Sequence, residues 1–342
     1  MDSRTLIKKV IEFDDAQRIG FGFSKGYPND FVRCAPAKRE DFDYEWHKPE
    51  EFSSEYSELK DFNGYLRKDE FGNLWGKMIN DPSPQGEVLF GVLKEWSYLD
   101  DYKFPNLSDP KRFQYMEEVL AKSPDKFRIG TLPGFSFAIM RYMRKMELFL
   151  ADLILEREYV LRLKEMVEEE LIKIIDNFAG LGFDAIFFAE DWGTQDRLLI
   201  SPALWREVFK PSFYRLCRHA HSKGMYVFMH SCGCIYEILE DLMEVGINVF
   251  QLDQPTLMGI DRMSEVFYKR AALFSPVDIQ TILPTGNRTL IEESVTAMVE
   301  KFGSRGGGLI AKDYGDYATI QVKDEWACWM REYFMKMGNW KA

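Results

Sequence analysis

From about residue 110 onward the chain repeats one pattern: a short run apolar at odd and even positions alike, then a longer stretch apolar at every third or fourth position. The short runs are Phe127–Thr131, Phe183–Ala189, Met225–His230, Ile247–Leu252, Ala271–Ser275 and Gly308–Lys312. Runs of this kind fit parallel strands covered on both faces. The stretches between them have helical periodicity near 138–150, 157–180, 202–223, 234–245, 257–269 and 287–303, with a last one near 318–337. Ser201-Pro202 supplies an N-cap followed by proline at the first helical position, and Gly224 closes that helix. Strand alternating with helix predicts a parallel α/β fold.

The first 110 or so residues follow no such rhythm, because turn formers interrupt every apolar run. They do so at Asn29-Asp30, at Asp69-Glu70-Phe71-Gly72-Asn73 and at Asp81-Pro82-Ser83-Pro84-Gln85-Gly86. Arg18–Phe23 and Val88–Leu93 are the pieces there that can serve as strands, which brings the strand count to eight. That count favours a (β/α)8 TIM barrel over an open doubly wound sheet, and no glycine-rich dinucleotide turn follows a predicted strand. The expectation is a single barrel domain over residues 1–342, with roughly 1–110 an irregular elaboration packed on it.

Charge narrows the partners. Against 44 Lys+Arg stand 55 Asp+Glu, a formal charge of −11 over 342 residues. An acidic surface disfavours nucleic acid and anionic membranes. The apolar stretches fall short of a spanning helix, and the opening Met1-Asp2-Ser3-Arg4, soon followed by Lys8-Lys9, does not read as a signal peptide. Five cysteines (Cys34, Cys217, Cys232, Cys234 and Cys328) are odd in number and sparse, which suits a reducing compartment. The chain is therefore expected to be cytoplasmic. The aromatic content of 15% fits core packing and equally a pocket for a flat, apolar substrate.

In a barrel, chemistry belongs at the carboxyl ends of the strands. Those positions read Glu190-Asp191-Trp192-Gly193-Thr194-Gln195, His230-Ser231-Cys232-Gly233, Gln251-Leu252-Asp253-Gln254, Ser275-Pro276-Val277-Asp278 and Lys312-Asp313-Tyr314-Gly315. His230 and Cys232 are two apart on a strand and point to one face, so imidazole and thiol can reach one ion, and that pair suits zinc. A third ligand is needed. Asp253 is the first choice, with Asp313, Glu190 and Cys234 behind it, although Cys234 falls at the start of a helix. The alternative is a packed histidine and an inert thiol, as expected for Cys217 on its helix. His219 and His221 flank a helix end and read as solvated or capping. Glu190 and Asp191 can act as general acid, bind a substrate hydroxyl, join the metal or cap the next helix.

Taken together, the strand-end strings resemble the uroporphyrinogen decarboxylase superfamily. The resemblance rests on Glu190-Asp191-Trp192-Gly193-Thr194-Gln195, on Leu199-Ile200-Ser201-Pro202 with Trp205 and Pro211, and on His230-Ser231-Cys232-Gly233. Asp69-Glu70-Phe71-Gly72-Asn73-Leu74-Trp75 and Asp101–Pro110 also look like that family. It covers about residues 60–335 and implies a (β/α)8 barrel. Decarboxylases of the family carry an arginine-rich segment of the type Met-Arg-Gln-Ala-Gly-Arg that grips substrate carboxylates. Here the region reads Phe21-Gly22-Phe23-Ser24-Lys25-Gly26-Tyr27, with Arg33 and Arg39 further on, so porphyrin decarboxylation is not expected.

The other branch of the family comprises zinc-dependent, corrinoid-linked methyltransferases with a His-x-Cys at this strand, which His230 and Cys232 match. Members acting on thiols often add a Cys after the last strand, where this chain has Lys312-Asp313-Tyr314-Gly315. The resemblance therefore implies Lewis-acid activation of an ether or alcohol oxygen, as in aryl methyl ether O-demethylase systems. Zinc on His230, Cys232 and Asp253, an acid at Glu190 or Asp191, and substrate contacts at Gln195 and Tyr314 are the expected site. The methyl donor would be a methoxylated aromatic. The acceptor would be the Co(I) corrinoid of a separate protein, since no Asp-x-His-x-x-Gly string occurs in this chain. The protein itself is expected as a monomer or homodimer. Transfer from a corrinoid protein to tetrahydrofolate or a thiol, a cofactor-free lyase, and a metal-free binding barrel are the alternatives.

Overall fold

The computed structural model describes residues 1–24, 26–81 and 85–339. Its strands in chain order are β1 (Gly20–Gly22), β2 (Phe31–Cys34), β3 (Gly64–Lys68), β4 (Leu74–Met78), β5 (Glu87–Phe90), β6 (Phe127–Thr131), β7 (Ala185–Ala189), β8 (Tyr226–His230), β9 (Val249–Gln251), β10 (Ala272–Ser275) and β11 (Leu309–Lys312). Eight form one parallel sheet in the order β1-β11-β10-β9-β8-β7-β6-β2, curled into a nearly closed barrel with helices outside. The fold is the α/β barrel that the alternation of strand and helix predicts.

Three departures from the sequence reading have physical causes. Val88–Leu93 is not a barrel strand: β5 lies in an antiparallel sheet with β3 and β4, set apart from the barrel. Its side chains are half-exposed rather than covered on both faces. The eighth barrel strand is β2, whose four residues include Arg33 and end at Cys34-Ala35-Pro36, too short and too polar to stand out. The long helices also break. Pro211 cannot donate the bond that would continue a helix from Pro202, so Pro202–Val208 and Lys210–Ser222 are separate. Lys145, at φ 69°, divides Ser136–Arg144 from Met146–Leu155. Lys25 and the Pro82-Ser83-Pro84 turn lie outside the described residues. Among the described residues no helix is long and apolar enough to cross a membrane.

The first 34 residues build part of the barrel. The helix Ser3–Glu12 starts where the Asp2 carboxylate accepts from the Thr5 N–H at 2.7 Å. Its apolar face (Leu6, Ile7, Val10, Ile11) packs with Phe31, Phe127, Phe228 and Phe274 of the lumen, closing the amino end. Arg4 fastens it to Asp184 at 2.9 Å. Among the described residues no helix lies between β1 and β2. Asp30 fastens this seam: its carboxylate accepts from the Phe21 N–H at 2.8 Å and from Arg18 at 2.7 and 2.8 Å.

Interior positions alternate along every strand. Phe31 on β2, Ala185 and Phe187 on β7, Phe228 on β8, Val249 on β9, Phe274 on β10 and Ile310 on β11 cluster inside. One step further up the same faces stand Arg33, Ala189, His230, Gln251 and Lys312. Ala189 pairs with His230, His230 with Gln251, and Gln251 with Phe274. The register thus brings the polar ends of β7, β8 and β9 to one level at the carboxyl mouth.

Candidate metal centre at the carboxyl rim

His230 ends β8 and Cys232 follows it on the same face. The loop after β7 brings Asp191 against them. Cys232 Sγ lies 3.3 Å from His230 Nε2, and His230 Nε2 lies 3.6 Å from Asp191 Oδ1. One ligand atom from each of the three sits within 4.8 Å of the others. Tetrahedral zinc held by thiolate, imidazole and carboxylate has ligand-to-ligand edges of about 3.4–3.6 Å, so the donor set fits that ion in chemistry and spacing. His230 Nδ1 is buried without a partner. The ring is therefore oriented by packing rather than by the outer hydrogen bond usual for metal-bound histidine.

Backbone contact between two loops fixes the third donor. The Cys232 N–H donates to Asp191 Oδ1 at 2.8 Å, the Trp192 N–H to Ser231 Oγ at 3.2 Å and the Cys234 N–H to the Thr194 carbonyl at 2.7 Å. Gly193 and Gly233 make this crossing possible. Gly233 has φ +76°, and a Cβ on either residue would stand 2.4–2.5 Å from backbone of the other loop. Gln254 holds the turn from the next strand, its Oε1 accepting from the Gly233 N–H at 2.8 Å. Burial pushes the Cys232 thiol up to about 12, with the Asp191 and Asp253 carboxylates adding to it and Lys312 opposing.

The other expected residues are placed as follows. Asp253 differs from the expectation of a metal ligand: its Oδ1 is 2.6 Å from Lys312 Nζ, both groups buried, so the strongest local cation claims it. Asp313 is likewise engaged, accepting from Arg331, Tyr317 and both donors of Ser24. Tyr314 is half-buried, and burial, Asp253 and Cys232 all push its hydroxyl pKa up, which places it beside the centre. Gln195 is exposed on the loop beyond Asp191. Cys234 stands outside the three-residue cluster. His219 bonds Asp176 and His221 bonds Asn248, and Cys217 is a fully buried thiol whose pKa burial raises.

Glu190 does not face the mouth. It is fully buried, its Oε1 accepting from the Ala138 N–H at 3.1 Å in the first turn of Ser136–Arg144, with Oε2 unpartnered. Burial pushes it up to about 8, opposed less strongly by Ala138 and Arg141. A folded-state value above the unfolded one means that Glu190 favours the fold at low pH. That contribution is lost as pH rises from about 4.5 toward 8, at up to about 1.4 kcal/mol per pH unit. Glu190→Gln is expected to gain stability relative to the wild type at pH 8 and to lose that advantage at pH 5, as read by urea denaturation. A pH-independent difference would contradict a titrating Glu190.

The sequence reading missed Arg141 and the place of Arg33 on a barrel strand. Arg141 stands 3.8 Å from Asp191 Oδ2 and donates to the Tyr142 hydroxyl at 3.0 Å. Tyr142 in turn lines a cavity of about 320 Å³ beyond the ends of β2 and β6, with Trp75, Phe71, Leu132 and Ile139. Trp75 and Tyr142 pack ring to ring at 4.9 Å. The second residue is Arg33, which enters the lumen two positions above Phe31. That parity is visible in the sequence once β2 is recognised as a strand.

With this geometry in place, a model of the uroporphyrinogen decarboxylase family matches residues 95–312. The chain belongs to the uroporphyrinogen decarboxylase family. No curated protein matches it in sequence. Among solved structures, this family member is similar to a methyltransferase from Methanosarcina mazei, with 13% identity and a TM-score of 0.65 over 98% of this chain and 99% of that one. That likeness establishes a shared fold along the whole chain. Weaker likenesses are to a D-allulose 3-epimerase from Methylomonas sp. (16% identity, TM-score 0.42, 68% and 85% covered) and a xylose isomerase-like barrel from Mycobacterium smegmatis (14%, 0.37, 70% and 82%).

Proposed function

We propose that the protein is a zinc-dependent methyltransferase that takes the methyl group of a methoxylated aromatic and delivers it to the Co(I) corrinoid of a partner protein. The observation that carries the reading is the convergence of Asp191, His230 and Cys232 at the barrel mouth. The aromatic-walled cavity that Tyr142 lines, joined to Asp191 through Arg141, and the full-length fold shared with the methyltransferase from Methanosarcina mazei support it.

Asp191, His230 and Cys232 would hold the zinc. When bound, zinc supplies Lewis acidity at the ether oxygen, where charge accumulates as the O–CH3 bond breaks. The aryl oxygen keeps the bonding electron pair and leaves as phenolate, while the methyl group passes to the acceptor as a cation equivalent. Around that event the protein's own groups have assigned tasks. Arg141 positions Asp191 from the side away from His230. Tyr314, kept protonated by its raised pKa, donates a hydrogen bond toward the departing oxygen. Glu190, protonated at neutral pH, holds the start of the helix that carries Arg141. Trp75 and Tyr142 offer faces for the aryl ring and exclude water.

The test combines elemental analysis of protein purified without added metal with an assay of Co(I) cobalamin and methoxyarenes. The expected result is about one zinc per chain and methylation of Co(I) that requires both zinc and the methoxyarene. Zinc-replete protein that methylates Co(I) from no methoxylated arene would sink the reading.

A further inference from the structure

The cavity of about 320 Å³ beyond the ends of β2 and β6 is walled by the rings of Tyr44, Phe71, Trp75 and Tyr142. Two carboxylates among the described residues line it, and they are answered differently. Glu70 accepts from both terminal nitrogens of Arg112 at 2.8 Å and from the Tyr44 hydroxyl at 2.6 Å. Asp69, half-buried in the turn from β3 to β4, accepts from neutral groups. These are the Trp75 indole N–H at 2.7 Å and the side-chain and backbone N–H groups of Asn73, each at 2.9 Å. Among the described residues no cation forms an ion pair with it. Arg67 acts on it from beyond pairing distance and lies over the Trp46 ring at 4.5 Å. Lys38, the other cation of the lining, is exposed and lies over the Tyr44 ring at 4.6 Å.

A carboxylate drawn out of water and given neutral partners lacks a counter-charge, and burial accordingly raises the Asp69 pKa against the pull of its hydrogen bonds. A cation is the ligand that supplies the missing charge. The rings favour the same sign, because each presents the negative face of its quadrupole to whatever enters. An anion would meet Asp69 and is disfavoured on both counts. The wall also leads to the metal centre. Trp75 packs on Tyr142 at 4.9 Å, the Tyr142 hydroxyl accepts from Arg141 at 3.0 Å, and Arg141 stands 3.8 Å from Asp191. Asp69 and the three metal donors thus stand at opposite ends of one aromatic wall.

We propose that this cavity receives an ammonium group carried by the methyl donor. The donor is then a methoxylated aromatic amine, its nitrogen at Asp69, its ring on Trp75 and Tyr142, and its ether oxygen toward Asp191, His230 and Cys232. This rests on the methyl-transfer reading for the ether, and on the cavity alone for the amine.

The experiment compares 4-methoxyphenethylamine, a cation at neutral pH, with 2-(4-methoxyphenyl)ethanol, its neutral counterpart of the same length. Both are titrated calorimetrically into the full chain, before and after chelation, so that an amine ligating metal is told apart from one held by Asp69. The amine is expected to bind at least about tenfold more tightly than the alcohol in both states. That preference is expected to vanish in Asp69→Asn, which keeps an oxygen for the Trp75 N–H; its melting curve reports whether the turn survives. Tyr142→Leu leaves that turn untouched and should weaken amine and alcohol together, preserving their ratio. Equal affinity for the two in the wild type, no binding of either, a preference that survives Asp69→Asn in folded protein or is abolished by chelation, or unchanged binding in Tyr142→Leu would each overturn the proposal. Methyl transfer to Co(I), followed in parallel, separates the two readings. Demethylation of neutral methoxyarenes without preference for the amine removes the role of Asp69 and leaves the transferase. Binding of the amine that depends on Asp69, without methyl loss, does the reverse.

Discussion

Cys232→Ala is expected to bind zinc at least about a hundred-fold more weakly than the wild type, and His230→Ala to match it. Each removes one of three donors that converge within 4.8 Å, and two remaining donors on neighbouring loops do not hold a tetrahedral ion. Asp191→Asn is the informative third variant. The amide keeps an oxygen that can accept from the Cys232 N–H, so the loop crossing survives while the charged ligand is lost. Its zinc affinity should fall between those of the wild type and the alanine variants. Competition with a chromogenic chelator reads all of them on one scale. Wild-type affinity in Cys232→Ala would mean that the metal, if one binds, lies elsewhere.

The second large effect is on stability and lies outside the proposed chemistry. Asp313 is a four-way junction: Oδ1 accepts from Arg331 Nε at 2.7 Å and from the Tyr317 hydroxyl at 2.8 Å, and Oδ2 accepts from the Ser24 N–H and Oγ, each at 2.7 Å. Arg331 is 1% exposed. Asp313→Ala therefore strands a buried guanidinium and unpairs the backbone just after β1. The expected loss is about 3–5 kcal/mol, measured by urea unfolding. Arg331→Met in the same background removes the stranded charge and should recover part of that loss. A single-variant loss below about 1 kcal/mol would show that water reaches the junction and answers both groups.

How far the sequence carried these conclusions depends on the element. The six strands from Phe127 to Lys312 are legible because most of their positions are covered on both faces and apolar, with polar groups mainly at the carboxyl ends. His230 and Cys232 are legible because their spacing is a property of one strand. The third donor is not, since Asp191 and Asp253 both end strands adjacent to β8. What separates them is a contact between loops that sequence spacing does not encode: the glycine crossing presents Asp191, while Lys312 draws Asp253 away. Glu190 and Asp191 look equivalent in a string, yet strand parity sends the first under a helix and the second to the mouth. β2 escaped because it is only four residues long and carries an exposed arginine, so it lacks the apolar run of a strand covered on both faces.

The barrel seam has a consequence for how the chain comes off the ribosome. β1 finds its ladder partner at the far end of the polypeptide, with Gly22 opposite Lys312. At ordinary translation speeds the roughly 290 intervening residues take about 15–60 s to synthesise. During that interval the opening helix can pack on Phe31, Phe127 and Phe228 as they are made, but the edge of β1 that pairs with β11 stays open. The seam between β1 and β11 is thus the last ladder of the barrel to zip.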